Sequence, residues 1–104
     1  MTSSAIQAVL EAVCEDTYHL AAPEGVTRFI VFGETGGQNV CAGNRVVATT
    51  TKFSVYVYTQ DEDDALTAQV TAALDAAGIA FSAPAPGWDD ERMTLVSIID
   101  CEAV

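Results

Sequence analysis

The 104-residue chain is half hydrophobic and sets fifteen acidic side chains against only Arg28, Arg45, Lys52 and Arg92, for a net charge of -11. That length supports a single domain, residues 1 to 104, which buries roughly two-thirds of the surface its unfolded form exposes. The acidic balance excludes a binder that neutralises nucleic-acid phosphates and opposes docking on an anionic membrane. The apolar runs are too short to span a bilayer and the N-terminus lacks the basic flank of a signal peptide, so a soluble, cytosolic product is expected.

In chain order, Ile6, Val9, Leu10, Val13 and Cys14 recur at helical spacing behind Ser3 or Ser4 as N-cap, which predicts an amphipathic helix over residues 3 to 14. Pro23 and Gly25 interrupt the segment after it. Residues 26 to 32, dense in β-branched and aromatic side chains, read as a strand, and the run Gly33, Glu34, Thr35, Gly36, Gly37, Gln38 and Asn39 reads as a loop that ends it. Two further strands are expected over residues 40 to 48 and 51 to 59, the latter alternating Phe53, Val55 and Val57 with Ser54, Tyr56 and Tyr58. Asp61 to Asp64 then form the acidic first turn of a helix carrying Leu66, Val70, Ala73, Leu74 and Ala77 on one face, with Gly78 as its stop. A short extra strand is allowed at residues 79 to 82. Residues 82 to 90, "SAPAPGWDD", read as a Pro/Gly loop too irregular for a ladder, and residues 93 to 102 alternate as the last strand.

The order α-β-β-β-α-β predicts an α+β domain: a mostly antiparallel sheet of four to five strands with two helices packed on one face. No second domain, linker or internal repeat is visible.

Motifs that carry chemistry are weak. "GETGGQN" lacks the lysine and hydroxyl of a Walker A loop, is followed by a strand rather than a helix, and adds the negative charge of Glu34, so a phosphate cradle has no physical basis there. The acidic run at 61 to 64 lacks the glycine and terminal Glu of an EF-hand, because Leu66 and Ala72 occupy those places. Cys14, Cys41 and Cys101 form no C-x-x-C pair and read as reduced, mostly buried thiols, and their spacing with His19 fits no zinc site. His19 has no nucleophile motif around it, and Asp89, Asp90 and Glu91 cluster in one loop, so no catalytic, cofactor or metal residue is expected and the chain reads as a non-enzyme. Trp88 reads equally as a lid on the core or an exposed anchor for a partner.

"TRFIVFGE", "VCAGNRVVATTTKFSVYVYTQDEDD", "ALDAAGIAF" and "GWDDERMTLVSIIDCE", in that order, resemble the small tail-terminator or tail-completion proteins of long-tailed bacteriophages. The resemblance covers residues 26 to 102, and its features fall on residues 29 to 34, 53 to 59, 61 to 78 and 88 to 101. It departs at Ala42-Gly43-Asn44, where relatives often carry an acidic residue before the Asn. The resemblance implies a virion structural protein at the head-tail junction, made in the bacterial host cytoplasm. There it would form a homo-oligomeric ring, in that family usually a hexamer, which caps the tail tube and meets the tube protein and the head-completion or connector proteins. An acidic wall would let DNA pass without specific binding. On this reading residues 33 to 39 project as an interaction loop toward the lumen or an adjacent subunit, and Arg28, Arg45, Lys52, Trp88, Asp89, Asp90 and Arg92 are candidate subunit contacts. The alternative is a small-molecule-binding or regulatory α+β module of a bacterial cell, with the glycine segment and Trp88 lining its pocket.

Overall fold

A computed structural model describes the backbone of residues 1 to 104 and every side chain except those of residues 38, 40 and 47. Helix α1, Ser3–Glu11, begins at Thr2, whose hydroxyl accepts from the Ala5 amide, and buries Ile6 and Leu10 one helical turn apart. It is shorter than the periodicity predicts: Cys14 is buried but lies beyond the helix, where the Cys14 amide donates to the Leu10 carbonyl.

The sheet has six strands: β1 (Thr17–His19), β2 (Phe29–Ala42), β3 (Arg45–Thr59), β4 (Ala80–Phe81), β5 (Ala85–Asp89) and β6 (Thr94–Ala103). Their order is β1-β2-β3-β6-β4, with β5 also paired to β6. All pairings are antiparallel except β1 with β2. The α+β class and mostly antiparallel sheet therefore follow the sequence pattern, while β1 and β5 are additions to it. β5 runs through Pro86, which an edge strand tolerates because only one of its sides must donate to a ladder.

Register fixes the core face. Ile30 and Phe32 of β2 sit opposite Val57 and Val55 of β3, and Val55 and Phe53 sit opposite Ile99 and Cys101 of β6. These side chains and those of Ile6, Leu10, Leu66, Val70 and Leu74 from the two helices make one buried cluster. At about 25 cal/mol per Å² of apolar surface, burial of each such Phe, Leu or Ile contributes roughly 1.5 to 3 kcal/mol.

Helix α2, Leu66–Ala76, starts after the acidic run, not within it. Asp61 and Asp64 instead build turns: Asp61 Oδ1 accepts from the Asp63 amide and Asp64 Oδ1 from the Leu66 amide, both at 2.9 Å. Short acidic side chains that bond their own downstream amides favour such turns over helix interior. The stop at Gly78 is as predicted. Its φ of 74° places it in the left-handed region, its amide reaches Asp75, and the Ile79 amide reaches Leu74, a Schellman closure that buries Ile79 beside Leu74.

The largest departure from the sequence reading concerns residues 33 to 39, which form no loop. β2 runs through them to Ala42, and the chain reverses at Gly43-Asn44, a two-residue turn between the paired Ala42 and Arg45. Gly43 has φ 63°, as a type II′ hairpin turn requires of its first central residue. Two separate strands at 26 to 32 and 40 to 48 are thus replaced by one long strand and half of its partner. The glycines serve this pairing: Thr35 bulges out between the Glu34–Phe53 and Gly36–Lys52 pairs, and a Cβ on Gly37 would lie 2.3 Å from the Thr50 carbonyl oxygen.

Candidate functional site

The long β2–β3 hairpin determines what the molecule can present. β1 borders β2 only at residues 30 to 32, and β6 borders β3 only from Thr51 onward. Residues 36 to 50 therefore extend past the body as a two-stranded ribbon, which accounts for extents of 49 × 24 × 22 Å in so short a chain. Neither outer edge of the ribbon has a strand alongside it. The Thr49 hydroxyl donates to Asn39 Oδ1 at 3.0 Å across the pair, and Val46 and Cys41 are exposed near the tip.

At the ribbon's base Glu34 meets His19 of β1, with Nε2 2.9 and 3.1 Å from the two carboxylate oxygens. Hydrogen bonding from His19, with help from the residue 34 backbone amide, holds the Glu34 carboxyl below its ordinary range. The His19 ring stacks on Phe32 at 4.9 Å between centroids. This arrangement fixes the edge of the sheet where the ribbon leaves it.

At the opposite end of β3, Thr59, Leu95 and Trp88 form one row across β3, β6 and β5. Trp88 is 52% exposed and Met93, in the β5–β6 turn, is 65% exposed, so Trp88 is not a lid on the core. Asp89 Oδ1 accepts from the Glu91 and Arg92 amides at 3.0 and 3.2 Å, which shapes that turn, on which Asp90 and Glu91 are exposed.

Two of the candidate contact cations are engaged within their own chain. Arg28 makes paired hydrogen bonds to Asp64, and Arg92 donates to the Ala22 and Pro23 carbonyls while its guanidinium lies 4.7 Å from the centre of the Phe29 ring. Phe29 is fully buried on the helix-free face, stacked on Tyr58 at 4.4 Å, so Arg92 clamps the 20 to 28 segment over a second small apolar cluster. Arg45 stands at the ribbon tip, and Lys52 at its base faces Glu102 in register. The Gln38 side chain lies outside those described.

No protein-family model matches the chain, and no curated protein matches it significantly. Among the described residues no three His, Cys, Asp or Glu side chains gather as metal ligands, and no helix is long and apolar enough to cross a membrane. A groove of about 570 Å³, open to solvent, lies between the ribbon base and β4, lined by Thr35, Lys52, Phe81, Ser82, Asp100 and Glu102. Trp88 does not line this groove.

Residues 33 to 39, expected as a loop, are strand. The exposed Cys41 and the ribbon were missed although Gly43-Asn44, a two-residue hairpin signal between apolar runs, was available.

Proposed function

We propose that this chain is a bacteriophage structural protein of the head-tail junction, made in the host cytoplasm and incorporated in the virion as a ring that ends or completes the tail tube and meets the head connector. The observation that supports it most is the ribbon: residues 36 to 49 of the β2–β3 pair extend from an α+β body beyond the stretches where β1 and β6 border it. A lone two-stranded hairpin is marginal in water, so a projecting one is best accounted for by neighbours that complete it. An acidic wall suits a ring through which DNA slides without being held.

The test is tube capping. Added to the polymerising tube protein encoded beside it, the chain should stop growth at a fixed length and appear at one tube end by electron microscopy. Tubes that grow on unchanged, with the chain absent from their ends, overturn the reading.

A small-molecule-binding module is the second reading, because the open groove has the volume of common ligand sites. It requires a metabolite that raises the melting temperature in a ligand panel and loses that effect in the Phe81→Ala variant.

A further inference from the structure

The charges of this chain are separated along its length. All fifteen acidic side chains lie outside residues 36 to 51, whose single ionisable charged side chain is Arg45. β3 runs from Arg45 at the ribbon tip to Thr59 at the other end of the molecule, roughly 45 Å at the rise of an extended strand. At that far end Asp61 to Asp64 follow Thr59 after one residue, and Asp89 to Glu91 enter the β5–β6 turn between Trp88 and Met93 in sequence. The cations there, Arg28 and Arg92, are held by Asp64 and by the Ala22 and Pro23 carbonyls.

One end is thus a cationic tip on an open-edged ribbon. The other is an exposed Trp and Met rimmed by carboxylates, the composition of an interface anchor with a charged border. The two ends are too far apart to meet within one molecule. We propose that they meet between molecules: the β2–β3 ribbon of one copy docks, Arg45 first, on the Trp88–Met93 surface and its Asp90 and Glu91 rim on the next copy. The contact is heterologous, head to tail, so successive copies close into a ring or continue as a filament. The other edges are less open to addition, since β1 has three residues, β4 has two, and Pro86 in β5 has no amide to donate. This inference rests on the ring reading above and names the surfaces that build the ring.

The experiment is charge exchange on the full chain, read by native mass spectrometry and sedimentation. Arg45→Glu, at an exposed tip, should raise the concentration for half-assembly by about tenfold or more, and Asp90→Lys with Glu91→Lys should do the same. All three substitutions in one chain restore opposite signs and should recover most of the assembly, and added salt should weaken the wild type but leave its fold intact. Unchanged melting of each variant shows that folding is not the cause. Assembly indifferent to Arg45→Glu overturns the contact, as does a wild type monomeric at millimolar concentration or one whose oxidation traps only Cys41–Cys41 dimers, the mark of ribbon-to-ribbon pairing. Tube capping is scored separately, so a ring built on other surfaces would end this inference and leave the head-tail reading standing.

Discussion

Arg28 and Asp64, 36 positions apart, are joined by two parallel hydrogen bonds, Nε to Oδ2 at 2.8 Å and Nη2 to Oδ1 at 3.1 Å. The second oxygen also accepts from the Leu66 amide at the entry to α2. One carboxylate therefore ties the chain just before β2 to the start of α2. The Arg28 hydrogen bonds, opposed by desolvation and assisted by the Leu66 amide, hold the Asp64 carboxyl below its ordinary range.

A carboxyl lowered on folding stabilises most above its unfolded value, about 3.9, and that contribution fades as pH falls through the lower folded value. Arg28→Met removes the ion pair alone and should cost about 0.5 to 1 kcal/mol at neutral pH, since Arg28 is nearly half exposed. Asp64→Ala removes the amide acceptor as well and should cost about 1 to 2 kcal/mol. Urea unfolding at pH 7 and pH 3 checks both. The Arg28→Met deficit should shrink at the lower pH, and a deficit that grows there would contradict the assignment.

Gly78 provides a second test because its requirement is conformational alone: φ is 74° and a Cβ would meet nothing within 4 Å. Gly78→Ala should cost about 1 to 2 kcal/mol through the left-handed backbone, with no change in the packing of Ile79 and Leu74. Asn, which tolerates this conformation better, should recover part of the loss. Equal stability of the Ala and Asn variants would mean that the closure rearranges.

The helix stop, the core face of β3 and the alternation of β6 were legible because each is local: one glycine, or one period of two, decides it. Residues 33 to 39 were not, because three glycines favour a loop by composition, and only the facing strand reveals that Gly36 and Gly37 accommodate a bulge and a close approach to Thr50. β1 escaped for a related reason. Three residues, Thr17 to His19, carry no periodicity, and their pairing with residues 30 to 32 is a tertiary fact. The engagement of Arg28 and Arg92 was equally invisible, since their partners lie 36 and about 70 positions away.

The thiols separate by environment. Burial, with the Asp100 charge beside it, pushes the Cys101 thiol up to about 11, and Cys14 is buried, whereas Cys41 is exposed on the ribbon. Thiolate is the reactive form, so at pH 8 one thiol per chain should react quickly with a disulfide reagent, and the other two only on unfolding. Cys41→Ser should abolish the fast phase. A second fast thiol in that variant would mean that the β6 end of the sheet opens in solution.

Gly37 separates the ribbon from the body. A Cβ there would lie 2.3 Å from the Thr50 oxygen and 3.3 Å from its carbonyl carbon, both backbone atoms that cannot swing aside. Gly37→Ala must therefore part the two strands, at a local cost of about 1 to 3 kcal/mol. Because the buried cluster contains no residue between 33 and 52, that cost should fall on the ribbon while the body keeps its cooperative unfolding. Hydrogen exchange distinguishes the two. Amides of residues 38 to 50 should exchange about tenfold or more faster in Gly37→Ala, while those of residues 53 to 57 and 97 to 101 keep their protection. Loss of protection in both sets would make the ribbon part of the folding unit, and loss in neither would mean that the strands part too little to expose their amides. An assembly built on the ribbon should weaken in the same variant, so exchange and native mass measured on one sample tie the strand pairing to the subunit contact.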